Sequence, residues 1–167
     1  MLYSPITDCF LKLTGYTYTN LGRLFMRLFV GIMLLQFGIR HMVHFEALAP
    51  GFPAVLGMTS TTSLVAMIII ETVCSLLIMT GFLTRLSTIP PIAAMCVAEY
   101  YILHDMVPNL PIYGLDSTDP GYLPIMFIGI YIWMLIAGPG KISLDYFISL
   151  YVISLRGKDE EEELEDV

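Results

Sequence analysis

An all-α membrane protein, a bundle of four transmembrane helices with a short C-terminal interfacial helix and a disordered acidic tail, is the fold class that this sequence predicts. Three observations carry it. Hydrophobic residues make up 56% of the 167 residues and charged residues 14%, where soluble domains hold roughly 25% charged residues. The mean hydropathy is +0.75. Four apolar runs approach the roughly 20 residues that a helix needs to cross a bilayer.

The elements follow in order. Residues 1–20 form an N-terminal cytoplasmic or interfacial segment, with no apolar core ending in a small-residue cleavage site and hence no removable signal peptide. The membrane domain covers residues 21–155. Its first helix spans about 21–45, with Asn20 as N-cap, and the second spans about 62–83. The third, about 87–104, carries Pro90 and Pro91, which a helix tolerates in its first turn. The fourth spans about 122–137. "GPGKISLD" then breaks the chain before an interfacial helix at 142–155, too short to span. The turn around "GFLTRLS" is short, so helices two and three form an antiparallel hairpin.

Charge placement sets orientation. The formal net charge is −7, but the tail "GKDEEEELEDV" holds one lysine and seven acids, leaving −1 for the rest. That tail (156–167) reads as disordered and solvated. With the N-terminus inside, Lys12, Arg23, Arg27, Arg85, Lys141, Arg156 and Lys158 lie at the cytoplasmic side and Arg40 alone outside. This places both termini in the cytoplasm and the protein in the inner (plasma) membrane.

One residue resists the lipid. Glu71 sits inside "IIIETVCSLLIMTG", where no face of the helix is wet. Counted from Arg85, Glu71 lies fourteen residues before the turn and Glu99 fourteen after, so the hairpin sets both at one depth, ~21 Å from the turn. An ionised acid there costs roughly 2.5–3.5 kcal/mol, which a cation or a proton relieves. The first helix offers Gln36, Arg40 and His41 near that depth. The expectation is Arg40 paired with Glu71, and Gln36 or His41 with Glu99, around an outer-side polar cavity for a small ligand. Glu71 and Glu99 are then the proton-transfer candidates. The competing reading is an ion pair that only locks helices together.

Other constellations are weaker. His41, His44 and His104 converge on the outer side, and the HxxH spacing suggests metal or haem, though unbound histidines are the simpler reading. Cys74 and Cys96 match in depth, which leaves a disulfide conceivable, but small apolar packers fit better. Neither a P-loop, a dinucleotide fingerprint nor a hydrolase or zinc-protease motif occurs. No nucleic-acid surface is present. The partners expected are lipid and either a partner protein or further copies of the chain.

Three stretches resemble the DoxX family of small four-helix membrane proteins. Arg23 or Arg27 precedes "GIMLLQFGIRH", similar to its glycine-rich first span. "IETVCSLLIMTGFLTR" resembles its second helix. "GPGKISLD" resembles its closing Gly-Pro-Gly-x-x-Ser-x-Asp signature, on Gly138, Pro139, Gly140, Ser143, Leu144 and Asp145. Where that family often has a lysine after the first-helix glycine, this chain has Arg40 and His41. The resemblance covers about residues 20–147. It implies membrane redox work, with relatives that include a subunit of thiosulfate:quinone oxidoreductase and partners of thiol- or superoxide-handling enzymes. The cofactor it implies is a quinone, and it brings no catalytic residue. Two functions stand: a quinone-linked oxidoreductase subunit, or a non-enzymatic scaffold or assembly subunit whose polar cluster is structural.

Overall fold

The computed structural model describes residues 19–103 and 122–156, and every regular element among them is helical. Helix α1 spans Thr19–Val43 and a single turn, α2, covers Phe45–Leu48. Helix α3 runs Ser60–Thr80 and contains a π-helical turn at Ile70–Cys74. Helix α4 spans Thr84–Ala98 and continues into a second π-helical turn, Glu99–Leu103. Helices α5 (Tyr122–Ala137) and α6 (Leu144–Arg156) complete the described chain. The N-terminal segment, His104, Asp105 and the loop that follows, and the acidic tail after residue 156 lie outside the described residues.

The distribution of side chains is inverted relative to a soluble protein. Arg27, Ser63, Glu71, Ser75, Thr84, Thr88 and Glu99 are buried, while Phe25, Phe29, Ile69, Trp133, Ile136 and Phe147 face outward. Water would reward the opposite arrangement; lipid rewards this one. Helices Thr19–Val43 and Ser60–Thr80 are long and apolar enough to cross a bilayer. The apolar stretches of the last two helices, Leu123–Ala137 and Leu144–Ile153, are shorter.

Helix α1 packs along α3, α3 and α4 form the expected hairpin, and α5 packs along α4. Between them Val30, Leu34, Cys74, Ile78, Met95, Phe127, Tyr131 and Met134 make one apolar core. Lipid removes the hydrophobic drive for helices to associate, so close van der Waals approach matters. Gly31 and Gly38, seven residues apart, supply it on one face of α1. A Cβ at Gly38 would lie 2.8 Å from Thr72 Oγ1 and 3.2 Å from Glu71 Cβ.

Helix α4 begins at Thr84, three residues before the start read from sequence, so Pro90 and Pro91 sit in its second turn and not its first. Asp145 makes the early start possible. Its Oδ1 accepts from Leu83 N at 2.6 Å and its Oδ2 from Thr84 N at 3.0 Å and Thr84 Oγ1 at 3.2 Å. The Asp145 amide in turn donates to Gly81 O at 3.0 Å. A carboxylate 62 positions further along the chain thus caps the helix and offsets the left-handed Leu83 (φ 47°), a conformation that costs an L-residue roughly 1–2 kcal/mol. Within the first turns Ser87 Oγ donates to Leu83 O and Thr88 Oγ1 to Arg85 O.

Candidate functional site

The π-helical turn in α3 places Glu71 on the inside of the bundle, 1% exposed. Turns of this kind are rare and recur at functional sites. The Gly38 contact draws α1 against this turn, and His41 follows three residues later on the same side of α1. His41 Nδ1 and Glu71 Oε2 meet at 2.7 Å. Either the ring N–H donates to the carboxylate or the carboxyl O–H donates to the ring nitrogen, so one proton serves both groups. Phe52, from the segment after α2, packs on the imidazole in an edge-to-face contact at 5.8 Å between centroids. The histidine side chain is 21% exposed where the glutamate is 2% exposed. The pair therefore connects the surface to the interior.

This differs from the sequence-derived pairing. Arg40 is exposed and does not meet Glu71; His41 does. Gln36 is exposed as well. The reason is angular: at 100° per residue Gln36 and Arg40 share a stripe of α1 that turns away from α3, whereas Leu34, Gly38 and His41 share the stripe that faces it. Glu99 is fully buried and opens the second π-helical turn, on α4. Cys74 is buried in the core, Cys96 is exposed, and both are free thiols. His44 is exposed. Among the described residues no group of three His, Cys, Asp or Glu is arranged to hold a metal ion. His104 lies outside the described residues.

Two further residues belong to the interior: Tyr131, which the sequence reading did not single out, and Arg27, which it placed among the cytoplasmic-side cations and as an arginine preceding the first span. Tyr131 on α5 is fully buried, within electrostatic reach of Glu71 and Cys74, and its hydroxyl has no hydrogen-bond partner among the described residues. A phenol inside "GIYIWML", otherwise apolar, is the signal that marks it. Arg27 on α1 is 2% exposed, donates through Nη2 to Ile142 O and feels the charge of Asp145. Its guanidinium lies over Gly81, whose φ of +73° and absent side chain make room for it. A cation early in an apolar helix was the available signal.

A pocket of about 470 Å³ opens at the Asn20 end of the bundle, opposite His41. Asn20, Arg23, Arg85, Lys141 and Asp145 line it. None of the residues expected to bind a ligand does.

A model of the DoxX family matches residues 22–105. The chain belongs to the DoxX family. The matched region holds the α1–α3 contact, the His41–Glu71 pair and Glu99, and it ends before "GPGKISLD". This DoxX protein is also similar to the uncharacterized membrane protein Rv3486 of Mycobacterium tuberculosis (strain ATCC 25618 / H37Rv). They are 28% identical over 141 residues, covering 74% of this chain and 79% of that protein. No solved structure matches. Family, composition and the outward apolar surface agree that this DoxX chain is a membrane protein.

Proposed function

We propose that this DoxX protein is a quinone-linked redox subunit of the plasma membrane, in which His41 and Glu71 carry the protons that accompany electron transfer. The observation that carries the reading is the 2.7 Å contact between a partly exposed imidazole and a buried carboxyl on a π-helical turn. Reducing a quinone to a quinol consumes two electrons and two protons. The electrons come from a partner redox protein, because the chain has no carrier motif of its own. The protons enter at His41 and pass to Glu71, with Glu99 as the second interior carboxyl. His41, partly exposed beside Glu71, also supplies the N–H donor to a quinone carbonyl; Arg40 and Gln36 lie at the same end of α1 but on the side turned away from that site. In this reading four helices span the bilayer, both termini are cytoplasmic and the His41 end faces outward.

A second reading, the scaffold, has its own support: the same pair clamps α1 to α3 beside the tight Gly38 contact. Glu71→Gln separates the two. A carboxamide still accepts a hydrogen bond from His41 but exchanges no proton at neutral pH. Mass spectrometry of the organic extract from gently purified protein is the test. The redox reading expects near-stoichiometric quinone in the wild type and its loss in a Glu71→Gln protein of unchanged melting temperature. Absence of quinone from both would overturn it and leave the scaffold.

A further inference from the structure

The pocket at the Asn20 end is built around the Gly138-Pro139-Gly140 loop. Arg85 approaches this loop from α4: its Nη2 lies 3.3 Å from where a Cβ at Gly138 would stand. Arg23 approaches from α1: its Cδ lies 3.1 Å from where a Cβ at Gly140 would stand. Lys141 follows directly, its amide donating to Asn20 Oδ1 at 3.1 Å. Three cations from three parts of the chain are thus gathered at one pocket.

Among the described residues they outnumber the acids of the lining three to one, and none of the three is in an ion pair. The His41–Glu71 ion pair lies at the far end of the bundle. Asp145 is the one acid in the lining, and both its oxygens are occupied by the amides of Leu83 and Thr84 and the Thr84 hydroxyl. The remaining wall, which includes Leu83, Leu86 and Pro139, is mainly apolar. A concave site of a few hundred Å³ with an apolar wall and convergent charges is the form that small-molecule sites take. Two guanidinium forks beside an ammonium suit the tetrahedral, multiply charged oxygens of a phosphate better than a carboxylate. Basic pockets between helices at a membrane face are where anionic headgroups settle.

We propose that this pocket is a phosphate site, with Arg23 and Arg85 gripping the phosphate oxygens and Lys141 closing the rim. It is independent of the quinone reading. The phosphate belongs either to an acidic phospholipid, whose glycerol and first methylenes lie on Leu86 and Pro139, or to a free phosphate compound.

The experiment has two arms on the full chain purified in a mild detergent. Native mass spectrometry after exchange into mixed micelles of phosphatidylglycerol and phosphatidylcholine reads the lipid arm, and calorimetric titration with inorganic phosphate reads the free arm. Selective retention of phosphatidylglycerol supports the site with a lipid source, and saturable phosphate binding without lipid retention supports it with a soluble one. In the arm that responds, Arg85→Gln and Arg23→Gln each weaken binding about tenfold, the value of one charge-assisted hydrogen bond. Arg85 is exposed, so its variant keeps the wild-type melting temperature. No binding in either arm, or binding that both variants retain in full, overturns the proposal.

Discussion

His41 and Glu71 lie 30 positions apart in sequence and share one hydrogen bond of 2.7 Å, made possible by a glycine three residues before the histidine. The bond joins the two long apolar helices, so its loss is felt as stability. Breaking a buried ion pair in a soluble protein costs about 3–5 kcal/mol. In lipid the separated helices find other partners, and interhelical polar contacts average ~0.6 kcal/mol with a ceiling near 1.7. The second scale applies here. His41→Ala is expected to destabilise the fold by about 0.6–1.7 kcal/mol in mixed-micelle unfolding, and Glu71→Ala by a similar amount. The double variant should cost clearly less than the sum; strict additivity would show that the pair contributes nothing to the clamp.

Asp145 caps a helix that it precedes in space but follows in sequence. Asp145→Ala removes the acceptor for two backbone amides and one hydroxyl. The expected cost is about 2 kcal/mol, at the upper end for a cap because Leu83 also loses the contact that holds it left-handed. Asp145→Asn keeps one acceptor oxygen and should lose about half as much. Hydrogen exchange is the direct measurement: the Leu83 and Thr84 amides should exchange faster in the alanine variant while the α1–α3 amides do not. Equal protection in both proteins would contradict the capping role.

The relation of sequence to structure divides along a physical line. The helical class, the hairpin and the presence of intramembrane carboxylates were legible because they depend on hydropathy and local spacing. Glu71 stands out in any apolar run. Its partner was not legible, because Arg40 and His41 are adjacent and depth alone cannot choose between them. The choice is made by helix rotation, which the small residues Gly31 and Gly38 dictate by fixing which stripe of α1 meets α3. The start of α4 was misplaced for a similar reason. Two prolines argue for a first turn only if nothing upstream caps the chain, and the cap comes from Asp145, 61 positions after Thr84. The π-helical turns carry no sequence signal beyond the glutamates they contain.

Gly38 is the position where that rotation can be tested. A methyl group there would lie 3.3 Å from Thr72 N, part of the backbone, as well as against the Thr72 hydroxyl and Glu71 Cβ. Relief of the backbone contact needs a shift of a few tenths of an ångström, which separates α1 from the π-helical turn. Gly38→Ala is expected to cost about 1–3 kcal/mol, the range for overpacking, and Gly38→Val more. The diagnostic is coupling: in the Gly38→Val background His41→Ala should have almost no further effect, since the imidazole no longer reaches Glu71. An undiminished His41→Ala effect would mean that the glycine does not position the pair.

Tyr131 offers the sharpest separation of stability from function. Its hydroxyl is buried without a hydrogen-bond partner among the described residues, and its ring stacks on Phe127 at 5.9 Å. A buried donor that bonds to nothing is a desolvation cost of about 1–3 kcal/mol. Tyr131→Phe keeps the stacked ring and removes that cost, so the variant should be as stable as the wild type or more stable by up to ~1 kcal/mol. If the phenol also donates to a quinone held beside Glu71, the same variant should retain less quinone in the organic extract despite its stability. A stable variant with full quinone content would confine Tyr131 to packing, and a clear loss of stability would show that the hydroxyl is bonded in the membrane after all.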